Sequence, residues 1–146
     1  MHERIKRLQD IIFAIEKEVV NERIAYLKGI VMHIPLAILI VNSQGIIIVA
    51  NQSLATFLGY QSSEELEHTP LTKIIPERYR EKHREGFQKF IERDSRLLSY
   101  PRNFPALKAD GSEVEAHILV TSWKQEGEVY VSASLQPVNN TSGVKG

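Results

Sequence analysis

Hydrophobic and polar positions divide the chain into stretches of different period. Over residues 1–32, Ile5, Leu8, Ile12, Ile15, Val19 and Tyr26 recur at alternating three- and four-residue steps, and only Glu22 interrupts them. That spacing predicts one long amphipathic helix, coiled-coil-like in pattern. Arg4, Lys6, Arg7, Glu16, Lys17, Glu18 and Arg23 occupy its other faces. Such a stripe packs on its own domain or pairs with a second helix. The helix precedes the globular part and has a stripe of its own, so the expectation is a dimer interface through Ile5, Leu8, Ile12, Ile15 and Val19. His33-Ile34-Pro35 then breaks the helix, because proline disfavours the helical conformation of the residue before it.

Beyond that break the period changes. Leu36–Val41 and Ile46–Ala50 are β-branched apolar runs separated by Asn42-Ser43-Gln44-Gly45, which predicts a hairpin with a glycine in its turn. Asn51 stands where a helix N-cap is expected, and Gln52–Leu58 offers Leu54, Phe57 and Leu58 to the sheet before Gly59 ends the helix. Ser62 and Glu65 have capping-box spacing. A well-marked helix follows from Pro76 to about residue 93, with Tyr79, His83, Phe87, Phe90 and Ile91 on one face and Gly86 beside it. Three strands are expected at 102–109, 113–123 and 128–137, with turns at Asp110-Gly111 and Gln125-Glu126-Gly127. In the middle strand Val114, Ala116, Ile118 and Val120 alternate with polar residues. In the last, Val129, Val131, Ala133 and Leu135 do the same. The sum is an α+β fold: a five-stranded antiparallel sheet with helices on one face, preceded by the N-terminal helix. Its divisions are 1–32, 33–137 and a disordered tail at 138–146.

Composition narrows the function more than the fold. The 146 residues suffice for one domain with a core. Eighteen basic and eighteen acidic residues cancel, so no electrostatic argument for nucleic acid arises. Cysteine is absent, which removes disulfides, thiolate metal sites and a cysteine nucleophile, and fits a cytoplasmic location. No apolar run approaches the ~20 residues of a membrane span. His2, His33 and His68 have no ligand-like spacing, and no nucleophile elbow or glycine-rich phosphate loop occurs. These residues show no catalytic pattern.

The strand–glycine turn–strand–Asn-capped helix ending in Leu58-Gly59-Tyr60 resembles the start of a PAS sensor domain. The resemblance continues through Ser62-Ser63-Glu64-Glu65-Leu66, Ile74-Ile75-Pro76-Glu77-Arg78-Tyr79-Arg80 and Lys108-Ala109-Asp110-Gly111-Ser112-Glu113. It implies a sensory and dimerisation module that regulates an output domain, such as a histidine kinase or a cyclic-dinucleotide enzyme. It also implies a ligand site between the long helix and the sheet.

His83, flanked by Tyr79 and Phe87 on an apolar helical face, is the candidate site residue. A lone histidine in such a place is usually a core residue, yet neutral imidazole also ligates iron. In heme-binding PAS sensors the proximal histidine lies on this helix, and His83 matches it. Arg102 matches their distal arginine, and Ile118 and Val120 match aliphatic residues around bound gas. Arg84 and Gly86 depart from the pattern, where an acid and an aromatic are usual. Heme, a flavin, a small apolar ligand or no ligand at all remain open at this point. The missing cysteine removes the flavin-adduct chemistry of light-sensing relatives.

Overall fold

A computed structural model of the protein describes residues 2–92 and 99–138. The chain divides into two compact units at His33. The first is a single helix, α1 (His2–His33). It is closed at its end by the His33 ring, whose Nδ1 lies 2.7 Å from the Gly29 carbonyl. Ile5, Leu8, Ile12, Ile15 and Val19 are exposed on it.

The second unit is built on one antiparallel sheet. Its strands are β1 (Ala37–Val41), β2 (Ile47–Ala50), β3 (Ser99–Leu107), β4 (Glu113–Gln125) and β5 (Glu128–Pro137). They lie in the order β2-β1-β5-β4-β3, so the first and last strands of the unit pair at its centre. Register sets the faces. Leu39 stands opposite Ala133 and Val41 opposite Val131. Ile118 stands opposite Leu135 and Val120 opposite Ala133. These residues form the inner face, while Ser132 and Ser134 lie on the outer face with Ile40 and Ile38. The alternation in β4 and β5 therefore follows the expected phase.

Local chemistry explains each connection. In the β1–β2 turn Asn42 Oδ1 accepts from the backbone N–H groups of Gln44 and Ile46, both at 3.0 Å. Gly45 supplies the positive φ of 78° that closes the turn. The β4–β5 hairpin turns through Glu126 and Gly127, with φ of 52° and 81°. A two-residue loop with both φ positive matches the right-handed twist of its strands. Helix α2 (Gln52–Phe57) begins at Asn51, which is fully buried. Asn51 Oδ1 accepts from Leu54 N and Ile38 N, both at 3.0 Å, and Nδ2 donates to the Leu36 carbonyl at 2.6 Å. One side chain thus caps α2 and holds the beginning of β1. Ser62 and Glu65 form the expected capping box around a short 3₁₀ turn, Ser63–Glu65. A second 3₁₀ turn spans Leu71–Ile74.

Some boundaries differ from expectation. Ile46 pairs with Pro70 in an isolated bridge instead of opening β2. β3 begins at Ser99, earlier than Arg102, because the chain resumes pairing with β4 across an irregularity in register. β4 runs past Trp123 to Gln125 because Trp123 pairs with Tyr130, and their rings stack at 5.7 Å. The C-terminal tail beyond Val138 lies outside the described residues.

Two outcomes follow. Replacing Asn51 with Ala strands the N–H groups of Ile38 and Leu54 and should cost roughly 2–4 kcal/mol, read by chemical denaturation with an unchanged m-value. Gly45→Val should cost at least about 1 kcal/mol, because a β-branched residue is strained at positive φ.

Candidate functional site

Helix α3 (Glu77–Glu92) starts at Pro76, which is fully buried and carries no N–H to leave unpaired in the first turn. Two arginines fix that first turn. Arg80 Nε donates to the carbonyls of Thr72 (3.1 Å) and Ile75 (2.9 Å), tying α3 to the preceding 3₁₀ turn. Arg78 forms a two-pronged ion pair with Glu113 at the start of β4, at 2.5 and 2.7 Å. The pair raises the Arg78 pKa and lowers that of Glu113. Beside it the Tyr79 ring meets Phe104 of β3 at 5.2 Å. One turn from its end, α3 is anchored again: a Cβ built on Gly45 would lie 3.7 Å from Phe87 Cε1, so the Phe87 ring rests on the β1–β2 turn.

The core is unequally buried. Under α2, Leu39, Val41, Ile47, Leu54 and Leu58 are at most 2% exposed. On β3, β4 and β5, Phe104, Val114, Ile118, Val120 and Ala133 are only partly buried, although Ala106, Ala116, Val131 and Leu135 on the same strands are buried, and no residue of α3 is fully buried. α3 also stands further from the strands than α2 does. The inner face beneath α3 is apolar and incompletely covered.

His83 sits on α3 between the anchors, half-buried, with its ring stacked on Phe87 at a centroid distance of 6.0 Å. Burial lowers its pKa from the ordinary 6.5 and so favours the neutral ring. No hydrogen bond of its ring is found among the described residues. Tyr79, Phe87 and Phe90 pack against the core from the same face. The structure puts Tyr79, His83 and Phe87 on one face of α3 and Ile118 and Val120 on the inner face of β4, with all but His83 packed against the core cluster. It does not bring Arg102 into that group. Register puts Arg102 opposite Ile118, but β3 is the edge strand and the side chain is exposed. Gly86 meets nothing within 4 Å of a Cβ position and brings no neighbour close. His117 lies on the outer side with its Nδ1 2.8 Å from Asn103 Oδ1, as its alternation predicted.

Sequence reading missed the Arg78–Glu113 pair and the Phe87–Gly45 contact. An open groove of about 560 Å³ lies at the ion pair, lined also by Pro76, Arg80 and Leu107. Another, about 620 Å³, lies between Phe57 and the end of β5. Neither includes His83. Among the described residues no group of side chains is placed to hold a metal ion. No helix there is long and apolar enough to cross a membrane.

The His83 environment carries a pH signature. With the folded pKa below 6.5, the unfolded chain takes up the proton first as pH falls. The stability that neutral His83 provides is whole above 6.5 and is lost as pH drops through 6.5 towards the lowered folded value. His83→Leu should therefore lose less stability than the parent between about pH 7.5 and 5.5, measured by denaturation at each pH. Parallel curves would refute it.

Comparison with known proteins gives the same fold. A sequence model described as the PAS domain matches residues 35–144. No curated protein matches the chain. Among solved structures, a PAS domain from Colwellia psychrerythraea superposes with a TM-score of 0.65 at 17% identity, covering 84% of this chain and 98% of its own. A PAS domain from a two-component sensor histidine kinase gives 0.64 at 11% identity, with coverages of 82% and 99%. The PAS domain of nitrogen regulation protein NR(II) from Vibrio parahaemolyticus gives 0.58 at 13%, with 76% and 96%. Matched over most of its length, the chain belongs to the PAS domain family.

Proposed function

We propose that this PAS module senses a small, uncharged, largely apolar ligand taken up between α3 and the inner face of β4 and β5. One observation carries the reading: Ile118, Val120 and Ala133 face inwards and are still only partly buried, whereas Leu39, Val41, Ile47 and Leu54 of the neighbouring core are at most 2% exposed. Incompletely covered apolar surface inside a fold is where a ligand gains burial at least cost in rearrangement. Neutral His83 offers the pocket a single hydrogen-bonding group. The ligand shifts α3, and with it the two anchors at Glu113 and Gly45, between packings. The module acts as a homodimer through α1 and regulates an output domain such as a histidine kinase or a cyclic-dinucleotide enzyme. The similarity to a PAS domain from a sensor histidine kinase supports that last step.

Heme fits less well. A porphyrin would have to displace the contacts of Tyr79, Phe87 and Phe90 with the core, and Arg102 stands exposed on the edge strand. Hemin added to the protein should keep the spectrum of free hemin. Indole, a small neutral aromatic probe, should give saturable shifts of the Ile118, Val120 and Ala133 methyl resonances and leave Leu54 unmoved. Ala133→Trp should abolish those shifts by filling the space. Absence of any shift up to the solubility limit would leave the module a ligand-free interaction domain.

A further inference from the structure

Register maps the accessible part of the inner face residue by residue. On β4 the inward positions run Ala116, Ile118, Val120, Ser122 and Lys124. Ala116 is fully buried, Ile118, Val120 and Ser122 are partly buried, and Lys124 is exposed. On β5 Ala133 lies between Val131 and Leu135 on the same face, with Leu39 opposite it on β1 and Val120 opposite it on β4. Val131, Leu135 and Leu39 are buried, yet Ala133, the smallest of the four, is not. An alanine less buried than its larger neighbours has open space directly above it. The opening is therefore bounded by closed core at Ala116, Leu135 and Leu39, and by a hydroxyl at Ser122, which stands opposite Val131.

We propose that the ligand is a neutral compound of one ring bearing one hydroxyl, that the ring lies over Ala133 and Val120, and that the hydroxyl bonds to Ser122. This rests on the apolar-ligand reading above and gives the ligand its chemical class. Size follows from strand geometry. Ile118 and Val120 lie about 7 Å apart along β4, and Ala133 is about 5 Å from Val120 across the sheet, so the apolar area is one ring long and two strands wide. Polarity follows from the order of residues. Ser122 is the next inward position after Val120, and its side chain both donates and accepts, so it can serve a ligand hydroxyl beside a bond it already makes. A charged group would have to rely on Lys124, which is exposed to water, where pairing with an anion contributes little.

The full chain would be titrated with toluene and with p-cresol, which adds only the hydroxyl, and the Val120 and Ala133 methyl resonances followed. A hydroxyl that finds no partner weakens binding to an apolar site, so a preference for p-cresol reports the bond. The expected result is roughly two- to tenfold tighter binding of p-cresol, the effect of one neutral hydrogen bond. Ser122→Ala should remove that preference and leave the affinity for toluene unchanged. Ala133→Ile should abolish the Val120 shifts with both probes. Toluene binding as tightly as p-cresol would overturn the role of Ser122 and leave the apolar-ligand reading standing. A preference that survives Ser122→Ala and disappears in His83→Phe would overturn it too, by moving the polar contact to α3. Unchanged binding in Ala133→Ile would overturn the placement of the ring. Tighter binding of p-toluate than of p-cresol would overturn the neutral class. Shifts with none of the three probes would remove the apolar-ligand reading itself.

Discussion

The second unit depends on how one buried amide is used. Asn51 follows the last residue of β2 and is fully buried. Its backbone N–H donates to the Ile38 carbonyl, and its side chain serves Ile38 N, Leu54 N and Leu36 O. A hairpin leaving a sheet and a helix beginning on it both leave backbone groups without partners. Asn51 answers both with one residue, which fixes where α2 lies on β1. Leu54, Ala55 and Leu58 are then buried in one cluster with Leu39 and Val41. The rigid half of the core follows from that placement, and α3 has only the other half on which to rest.

The two halves differ in what holds them. α2 is held by buried hydrogen bonds and a closed apolar contact. α3 is held by an exposed ion pair, two carbonyls, and aromatic rings at either end. Exposed ion pairs contribute little and are screened by salt, so α3 is the element whose position the interior can change most cheaply. That asymmetry suits a sensor. A change in volume beneath α3 meets weak restraints at Glu113 and Phe87, while the Asn51 side of the sheet stays fixed.

How far the sequence revealed this depended on the range of each interaction. Gly45, Gly59, the Asn51 cap on α2 and the Ser62–Glu65 box act within a few residues of themselves, and each was legible from the residues alone; the bonds of Asn51 to Ile38 and Leu36 span 13 and 15 residues and were not. The faces of β4 and β5 were legible from strict alternation. Arg102 was not, because being opposite Ile118 says nothing about whether a neighbour exists beyond β3, and β3 is the edge. Gly86 shows the same limit: its small size is visible in the sequence, but the open space beside it is not. Arg78 and Glu113 lie 35 residues apart, and Gly45 and Phe87 belong to different elements. Nothing local marks such pairs, and they are the ones that anchor α3.

α1 poses the opposite problem, since its pattern is clear and its stabilisation is not internal. A helix gains only a weak preference per residue from propensity, and most of its stability in a protein comes from packing an apolar face. α1 runs from His2 to His33 with Ile5, Leu8, Ile12, Ile15 and Val19 exposed, so as a single helix it leaves that contribution unused. Each such side chain gains about 1.5–3 kcal/mol when fully buried against a partner surface. Five of them in one line make pairing a stronger influence on α1 than any of its surface charges.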